Sequence, residues 1–267
     1  MMIKISFIGF GNMAKAIAHS LCNNKDYQLF ASSPTLTKGI NTNGITTDCD
    51  NLSIIKDADL IILAVKPLKM TVVLAEIEAS VPKHCLLISV AAGLNLSSLA
   101  KHCRPGQAII RSMPNTALAV GEGATPLIAN SYVTNKQKKW AEQLFQCSGI
   151  ISWTTQEEDL DRFTALSGSG PAYVFLFLEA LIKAANQLGL DETLAKTFAL
   201  QTLTGALNLA KHSKLEISEL RKQVTSPAGT TAAAIEVFQQ QGFDKLIYEA
   251  MKAAYERAKE LGSISYN

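Results

Sequence analysis

The stretch FIGFGNMA, Phe7–Ala14, places Gly9-x-Gly11-x-x-Ala14 directly after an apolar run, Ile3–Ile8. The segment after it, Met13–Cys22, repeats Ala14, Ile17, Ala18 and Leu21 on one helical face. Strand, glycine turn and helix in that order open a dinucleotide-binding βα unit. The first glycine makes the tight turn, the second lets the backbone approach a pyrophosphate, and a small third residue packs helix on strand. Free N–H groups at the helix start then face the phosphates. A bare G-x-G also fits an ordinary βα turn. Its place at the head of an alternating chain favours the dinucleotide.

The alternation extends outward from there. Tyr27–Ala31 reads as a second strand, and Leu60–Val65 is a continuous apolar run of the kind buried on both faces of a parallel sheet. Leu86–Val90, Ala108–Arg111, Ala124–Ile128 and Ile150–Trp153 read as further strands, with Val72–Ile77 and Lys136–Cys147 as helices. This pattern predicts an α/β Rossmann domain with a doubly wound, mainly parallel sheet over residues 1–155. From Glu157 onward no segment reads as a strand. Pro171–Leu188, a helix capped by Asp191 and running to about His212, Leu215–Gln223, Ala232–Gln241 and Asp244–Leu261 form an all-α domain over 156–267. Helices as apolar as AYVFLFLEAL (172–181) must bury against more than their own chain, so an intertwined homodimer, or a larger homo-oligomer, is expected.

Composition narrows the partners. The 267 residues carry a net charge of +2 without basic or acidic blocks, which points away from nucleic acid and anionic membranes. No continuous apolar run reaches the roughly 18–20 residues of a membrane span. MMIKISFIGF enters its glycine motif at once and reads as a buried strand, not a signal peptide. Five widely spaced cysteines without C-x-x-C imply free thiols and a cytoplasmic protein. Four histidines without ligand spacing imply no metal site.

The second strand ends in LFASSPT (29–35), where an NAD enzyme of this type has an acid for the ribose 2′-hydroxyl. Ser32, Ser33 and Thr35, with Lys38 near, suit a 2′-phosphate instead. The expected cofactor is therefore NADPH, with NADH as the alternative; a plain serine-proline turn is the simpler account of the same residues. Tyr-x-x-x-Lys occurs at Tyr132/Lys136, Tyr248/Lys252 and Tyr255/Lys259, but the glycine spacing differs from that of short-chain dehydrogenases, and the last two pairs read as a solvated or dimer-facing stripe. AVKP (64–67), SVAAG (89–93) and RSMPN (111–115) set small or polar residues at three strand ends facing one crevice.

In order, FIGFGNMA, AVKP, SVAAG, RSMPN, EEDLDRFTALSGSGPAY (157–173) and VTSPAGTT (224–231) resemble the pyrroline-5-carboxylate reductase family nearly end to end. The resemblance implies a Rossmann domain followed by a helical dimerisation domain. It implies reduction of 1-pyrroline-5-carboxylate to L-proline with NAD(P)H, the last step of proline biosynthesis. Carried over by position, cofactor contacts fall on Gly9, Phe10, Gly11, Asn12 and Met13, on Ser33, Thr35 and Asn51, on Ala64, Val65, Lys66 and Pro67, and on Ala91, Ala92 and Gly93. Substrate contacts fall on Glu158, Gln223, Thr230 and Thr231, Glu158 and the 224–231 loop being contributed across the dimer.

For such a substrate, the amides of Ser226 to Thr231 would hold the carboxylate, with Pro227 and Gly229 shaping the loop. The Thr231 hydroxyl would donate to the ring nitrogen as the catalytic group. A plain helix cap explains one threonine of the row, not all of it. Two departures from the family stand out. Ala228 replaces a glycine, so the loop must keep negative φ there or carry strain. KLEISEL (214–220) lacks a usual proline, at Ile217, and a usual acid, near Lys214. The rivals are a related imine or hydroxyacid reductase, for which Lys183 lies 13 residues past Gly170 and too far, and a nucleotide-binding sensor without catalysis, which would not need the hydroxyl row.

Overall fold

The structure, a computed structural model, describes residues 2–22 and 24–263. It divides into two compact units. One runs to Pro171 and takes in the described residues from Ala253 to 263; the other is Ala172–Lys252.

The first unit contains, in chain order, β1 (Ile3–Ile8), α1 (Asn12–Leu21), β2 (Tyr27–Ser32), β3 (Gly39–Ile40), β4 (Thr46–Asp48), α2 (Asn51–Ile55), β5 (Leu60–Leu63), α3 (Pro67–Ile77), β6 (Leu86–Ser89), α4 (Leu96–Ala100), β7 (Ile109–Ser112), β8 (Gly123–Ala129), α5 (Asn135–Gln146), β9 (Gly149–Trp153) and α6 (Glu157–Phe163). Among the described residues the strands form one nine-stranded sheet in the order β3-β4-β2-β1-β5-β6-β7-β8-β9. β4, β2, β1, β5, β6 and β7 run parallel, while β3 and the β8–β9 pair run against them. Apolar clusters cover both faces: Ile5, Phe7, Leu60 and Ile62 face the side covered by α1 and α5, and Ile8, Ile61 and Leu63 face the side covered by α3. This is why β5 reads as an unbroken apolar run rather than an alternating one.

The expected fold class holds, with local differences. α3 starts at Pro67, not Val72, because Pro67 occupies its first turn, where a missing N–H is harmless. β3, β4, α2 and α4 were not expected; at two to five residues they hold no full period to read. α6 and a π-helical turn over Thr164–Gly168 fill the stretch between the last strand and the helix that begins at Gly170.

α7 (Gly170–Gln187) leads into the second unit, which holds α8 (Glu192–His212), α9 (Ile217–Gln223), α10 (Thr230–Gln240) and the start of α11 (Phe243–Ser263). It has no apolar interior of its own. Ala195 is the one buried residue of α8, while Phe175 and Phe198 are 59% and 67% exposed. Apolar area on this scale demands a second surface. The run Glu157–Gln187 is moreover long and apolar enough to cross a membrane by length and composition. The expectation of no such segment is corrected on that point, because scattered serines, glycines and charged residues break the continuous run without lowering the average enough.

The expected division at 155/156 marks the last strand, whereas the compact unit continues to Pro171. The reason is an ion-pair anchor. Arg111, at the end of β7 and only 3% exposed, donates to Glu157 Oε2 at 2.5 Å and to Asp161 Oδ1 at 2.9 Å. Glu157 also accepts the N–H of Leu96 at 2.6 Å. Asn115 donates to the Ser167 carbonyl at 3.0 Å. The RSMPN stretch therefore ties α6 and the π turn to the sheet.

Candidate functional site

The chain winds from β1 to β2 on one side and returns through β5 on the other, so the sheet order reverses between β1 and β5. Ligand crevices in such sheets open at that point, outside the carboxyl ends of the strands. Gly9 sits there with φ +84°, and a Cβ on it would lie 2.7 Å from the Ala64 carbonyl oxygen. Glycine is required on both counts. Gly11 has open space around it. It is the N-cap of α1 and supplies no side-chain cap; the helical ladder begins with Lys15 N–H to Gly11 O at 2.9 Å. The N–H groups of Asn12, Met13 and Ala14 precede that ladder, and no acid stands in the first turn. An uncapped helix start beside an open glycine fits an anionic diphosphate.

The remaining expected contacts line the same strand ends. Ala64–Pro67 follow β5, with Lys66 as the N-cap of α3, and Ala91–Gly93 follow β6, with Gly93 at φ +79°. At the end of β2 the four hydroxyl-and-amide candidates separate. Ser32 is fully buried, and its hydroxyl donates to Asn51 Oδ1 at 2.6 Å, while Asn51 Nδ2 donates to Glu76 at 2.9 Å. Ser32 is thus withdrawn from direct contact with a ligand and orients Asn51. Ser33 is half-buried and Thr35 exposed, their hydroxyls 3.3 Å apart. Asp48, missed in the sequence, lies beside Ser32 on β4. Its carboxyl is held below the usual range chiefly by the Asp50 N–H and the Ser53 hydroxyl, and it pairs with Lys38 at 3.6 Å. The acid is already matched, so Ser33 and Thr35 face no free negative charge from it.

Of the expected substrate residues, Glu158 belongs to the first unit. It stands in the first turn of α6, accepts a hydrogen bond from the Tyr255 hydroxyl, and pairs with Arg162 at 3.2 Å and Lys259 at 3.8 Å. The Tyr255 hydrogen bond, then Arg162, hold its carboxyl below the usual range. Tyr255, Lys259 and Arg162 were not read as site residues. The one visible signal was the Tyr-x-x-x-Lys spacing, which puts both side chains on one helical face.

Gln223, Ser226, Gly229, Thr230 and Thr231 lie together in the second unit. α9 ends at Gln223, and α10 begins at Thr230, two residues earlier than expected. Gly229 is its N-cap and donates its N–H to the Ser226 carbonyl at 3.1 Å; a Cβ on Gly229 would collide with the Ser226 hydroxyl. Thr230 and Thr231 therefore occupy the first turn of α10, and no side chain caps the helix. The ladder starts with Ala233 N–H to Gly229 O at 3.2 Å, so the N–H groups of Thr230, Thr231 and Ala232 come before it. Ala228 has φ +58°. Of the two expected outcomes there, strain is the one observed. A left-handed alanine costs roughly 1–2 kcal/mol. Ala228→Gly is expected to raise stability by up to about 1 kcal/mol, the gain being reduced by glycine's freedom when unfolded. A urea titration at fixed protomer concentration reads this as a higher midpoint; a lower midpoint would mean that the loop holds alanine without strain.

The geometry thus offers a dinucleotide crevice at the strand ends and an uncapped helix start flanked by hydroxyls. Among the described residues no cluster of histidine, cysteine, aspartate or glutamate is fit to hold a metal.

A family profile described as "Pyrroline-5-carboxylate reductase dimerisation" matches residues 157–261. One described as "NADP oxidoreductase coenzyme F420-dependent" matches 4–93. A pyrroline-5-carboxylate reductase of Pseudomonas aeruginosa is 38% identical over 97% of this chain and 96% of its own length. The solved pyrroline-5-carboxylate reductase of Coxiella burnetii superposes with a TM-score of 0.90 at 36% identity, over 99% of this chain and 100% of its own. The Plasmodium falciparum pyrroline carboxylate reductase, solved with NADP bound, also gives 0.90, at 35% identity over 98% and 100%. Covered over nearly its whole length by such relatives, the chain belongs to the pyrroline-5-carboxylate reductase family.

Proposed function

We infer that this protein reduces 1-pyrroline-5-carboxylate to L-proline with NADPH, as a soluble cytoplasmic enzyme and a homodimer. The observation that carries this reading is the match to pyrroline-5-carboxylate reductases across 97% of the chain. The apolar surface of α7 and α8 supports association, and an obligate pair would bury more than about 2,000 Å². Purified protein should oxidise NADPH only when pyrroline-5-carboxylate is added, and the active species should sediment as a dimer or larger. Turnover with a 2-hydroxyacid but not with the imine would instead identify a hydroxyacid enzyme.

The chain's own residues divide the work. The amides at the start of α1 and the open face of Gly11 receive the diphosphate. Ala64–Pro67 and Ala91–Gly93 flank the nicotinamide end, and Asn51 is held in place by Ser32. When bound, the cofactor supplies a hydride to the imine carbon. The N–H groups at the start of α10 hold the substrate carboxylate, helped by the positive end of the helix dipole. Gln223, Ser226 and Gly229 border the substrate, Thr230 shapes the helix start, and Glu158 comes to the substrate across the dimer, as the family resemblance implies. The Thr231 hydroxyl donates to the ring nitrogen, whose electron density rises as the carbon gains the hydride. A cyclic imine is basic enough to arrive protonated, so imine, proton and hydride together give the amine without a histidine or metal.

Half-buried Ser33 and exposed Thr35, with Lys38 beyond, favour a 2′-phosphate. Ser33→Glu is expected to raise the Michaelis constant for NADPH and narrow or reverse its advantage over NADH, because the new carboxylate repels the phosphate. Initial rates with each cofactor measure this. Equal constants for the two cofactors in the unaltered enzyme would remove the basis for the hydroxyl reading.

A further inference from the structure

We propose that Tyr255, on the C-terminal helix α11, is a positioning residue that fixes the Glu158 carboxylate for the substrate. The proposal rests on Glu158 being a substrate residue and adds how it is held. The Tyr255 hydroxyl donates to Glu158 Oε1 across 97 residues of sequence. Two cations also approach the carboxylate, yet neither fixes it alone. Arg162 divides itself between Glu158 at 3.2 Å and Asp159 at 2.6 Å. Lys259 stands 3.8 Å from Oε1 on a long flexible stem. Asp159 in turn accepts from Thr154 at 2.5 Å. Exposed ion pairs of this kind orient weakly. The phenol is the directional element: a rigid ring with few rotatable bonds and one proton to give.

The helix that carries it is pinned. Ala258, one turn further on, is buried. A Cβ on Gly93 would fall 2.7 Å from Leu261 Cβ, and one on Gly262 would fall 3.0 Å from the Gly93 carbonyl oxygen. The end of α11 is therefore seated on the loop after β6, which fixes its register and the height of Tyr255. The Lys259 ammonium lies 5.3 Å above the Tyr255 ring and helps set its plane. Glu158 pushes the Tyr255 phenol above its usual range, so it remains a donor at any ordinary assay pH. The Tyr-x-x-x-Lys pair thus acts on a carboxylate rather than delivering a proton to substrate.

The test is a double-mutant cycle with Tyr255→Phe, which keeps the ring, and Glu158→Gln, read by the Michaelis constant for pyrroline-5-carboxylate and by calorimetric titration with L-proline. Tyr255→Phe is expected to weaken both by about 3- to 10-fold, the worth of one hydrogen bond, with the Michaelis constant for NADPH unmoved. In the Glu158→Gln background it should add nothing further, since the group it positions is gone. Independent, multiplying effects would overturn the proposal, as Tyr255 would then act elsewhere. A silent Tyr255→Phe beside a damaging Glu158→Gln would overturn it too, leaving the substrate role of Glu158 intact. A silent Glu158→Gln would overturn both.

Discussion

Thr231→Val is expected to lower the catalytic constant for pyrroline-5-carboxylate reduction by roughly 10- to 1,000-fold, the range for one positioned donor or proton-transfer group. Valine keeps the shape of threonine and removes only the hydroxyl. Thr231 stands in the first turn of α10, behind an N-cap, Gly229, that has no side chain. Its hydroxyl is therefore not the helix's cap, and its loss leaves the start of α10 intact. A donor that matters only as charge shifts onto the ring nitrogen acts on the catalytic constant more than on ground-state binding. NADPH affinity, measured separately by fluorescence titration, should be unchanged. A loss near tenfold would mean that the hydroxyl only orients the protonated imine. Thr230→Val should do less, because its hydroxyl has no partner in this mechanism. Unaltered catalytic and Michaelis constants for Thr231→Val would show that the site lies elsewhere.

Arg111→Met should destabilise the protein by about 3 kcal/mol, the lower end of the range for breaking a buried pair. Arg111 is 3% exposed, and its loss strands two carboxylates, Glu157 and Asp161, of which Glu157 is 36% exposed and can recover some hydration. That partial exposure is why the lower figure applies. Urea unfolding at equal protomer concentration measures it, since dimer stability depends on concentration. Adding Glu157→Gln and Asp161→Asn to Arg111→Met should restore part of the loss, as neutral amides are cheaper to leave without a cation. A loss below about 1 kcal/mol would place this triad with ordinary surface bridges. Because the triad ties α6 to β7, the variant should also weaken proline binding through displacement of Glu158, the next residue along α6.

Much of this was open to a reading of the sequence, and the exceptions share a cause. The Gly9–Ala14 turn, the apolar run of β5 and the helices beyond Glu157 carry their signals within a few consecutive residues. So does Gly229, which sits against Ser226 only three residues away. The hydroxyls after β2 looked equivalent in sequence. Only the structure separates buried Ser32, joined to Asn51 nineteen residues on, from the more accessible Ser33 and Thr35. Ala228 could have kept negative φ; the close turn from Ser226 to Gly229 forces it to +58°.

By itself, then, the sequence determined a sheet-forming first part and a helical second part, the glycine turn after β1 and the hydroxyl-rich start of α10. Each follows from local sterics, periodicity or capping, which act over a turn or two of chain. What tertiary structure alone decided are the partners: Arg111 with Glu157 and Asp161 across 46 and 50 residues, and Tyr255 with Glu158 across 97. A charge or a phenol in a sequence shows what it needs, a partner of opposite charge or an acceptor. Which one it meets depends on how distant segments pack, because hydrogen bonds and ion pairs act only over a few ångströms.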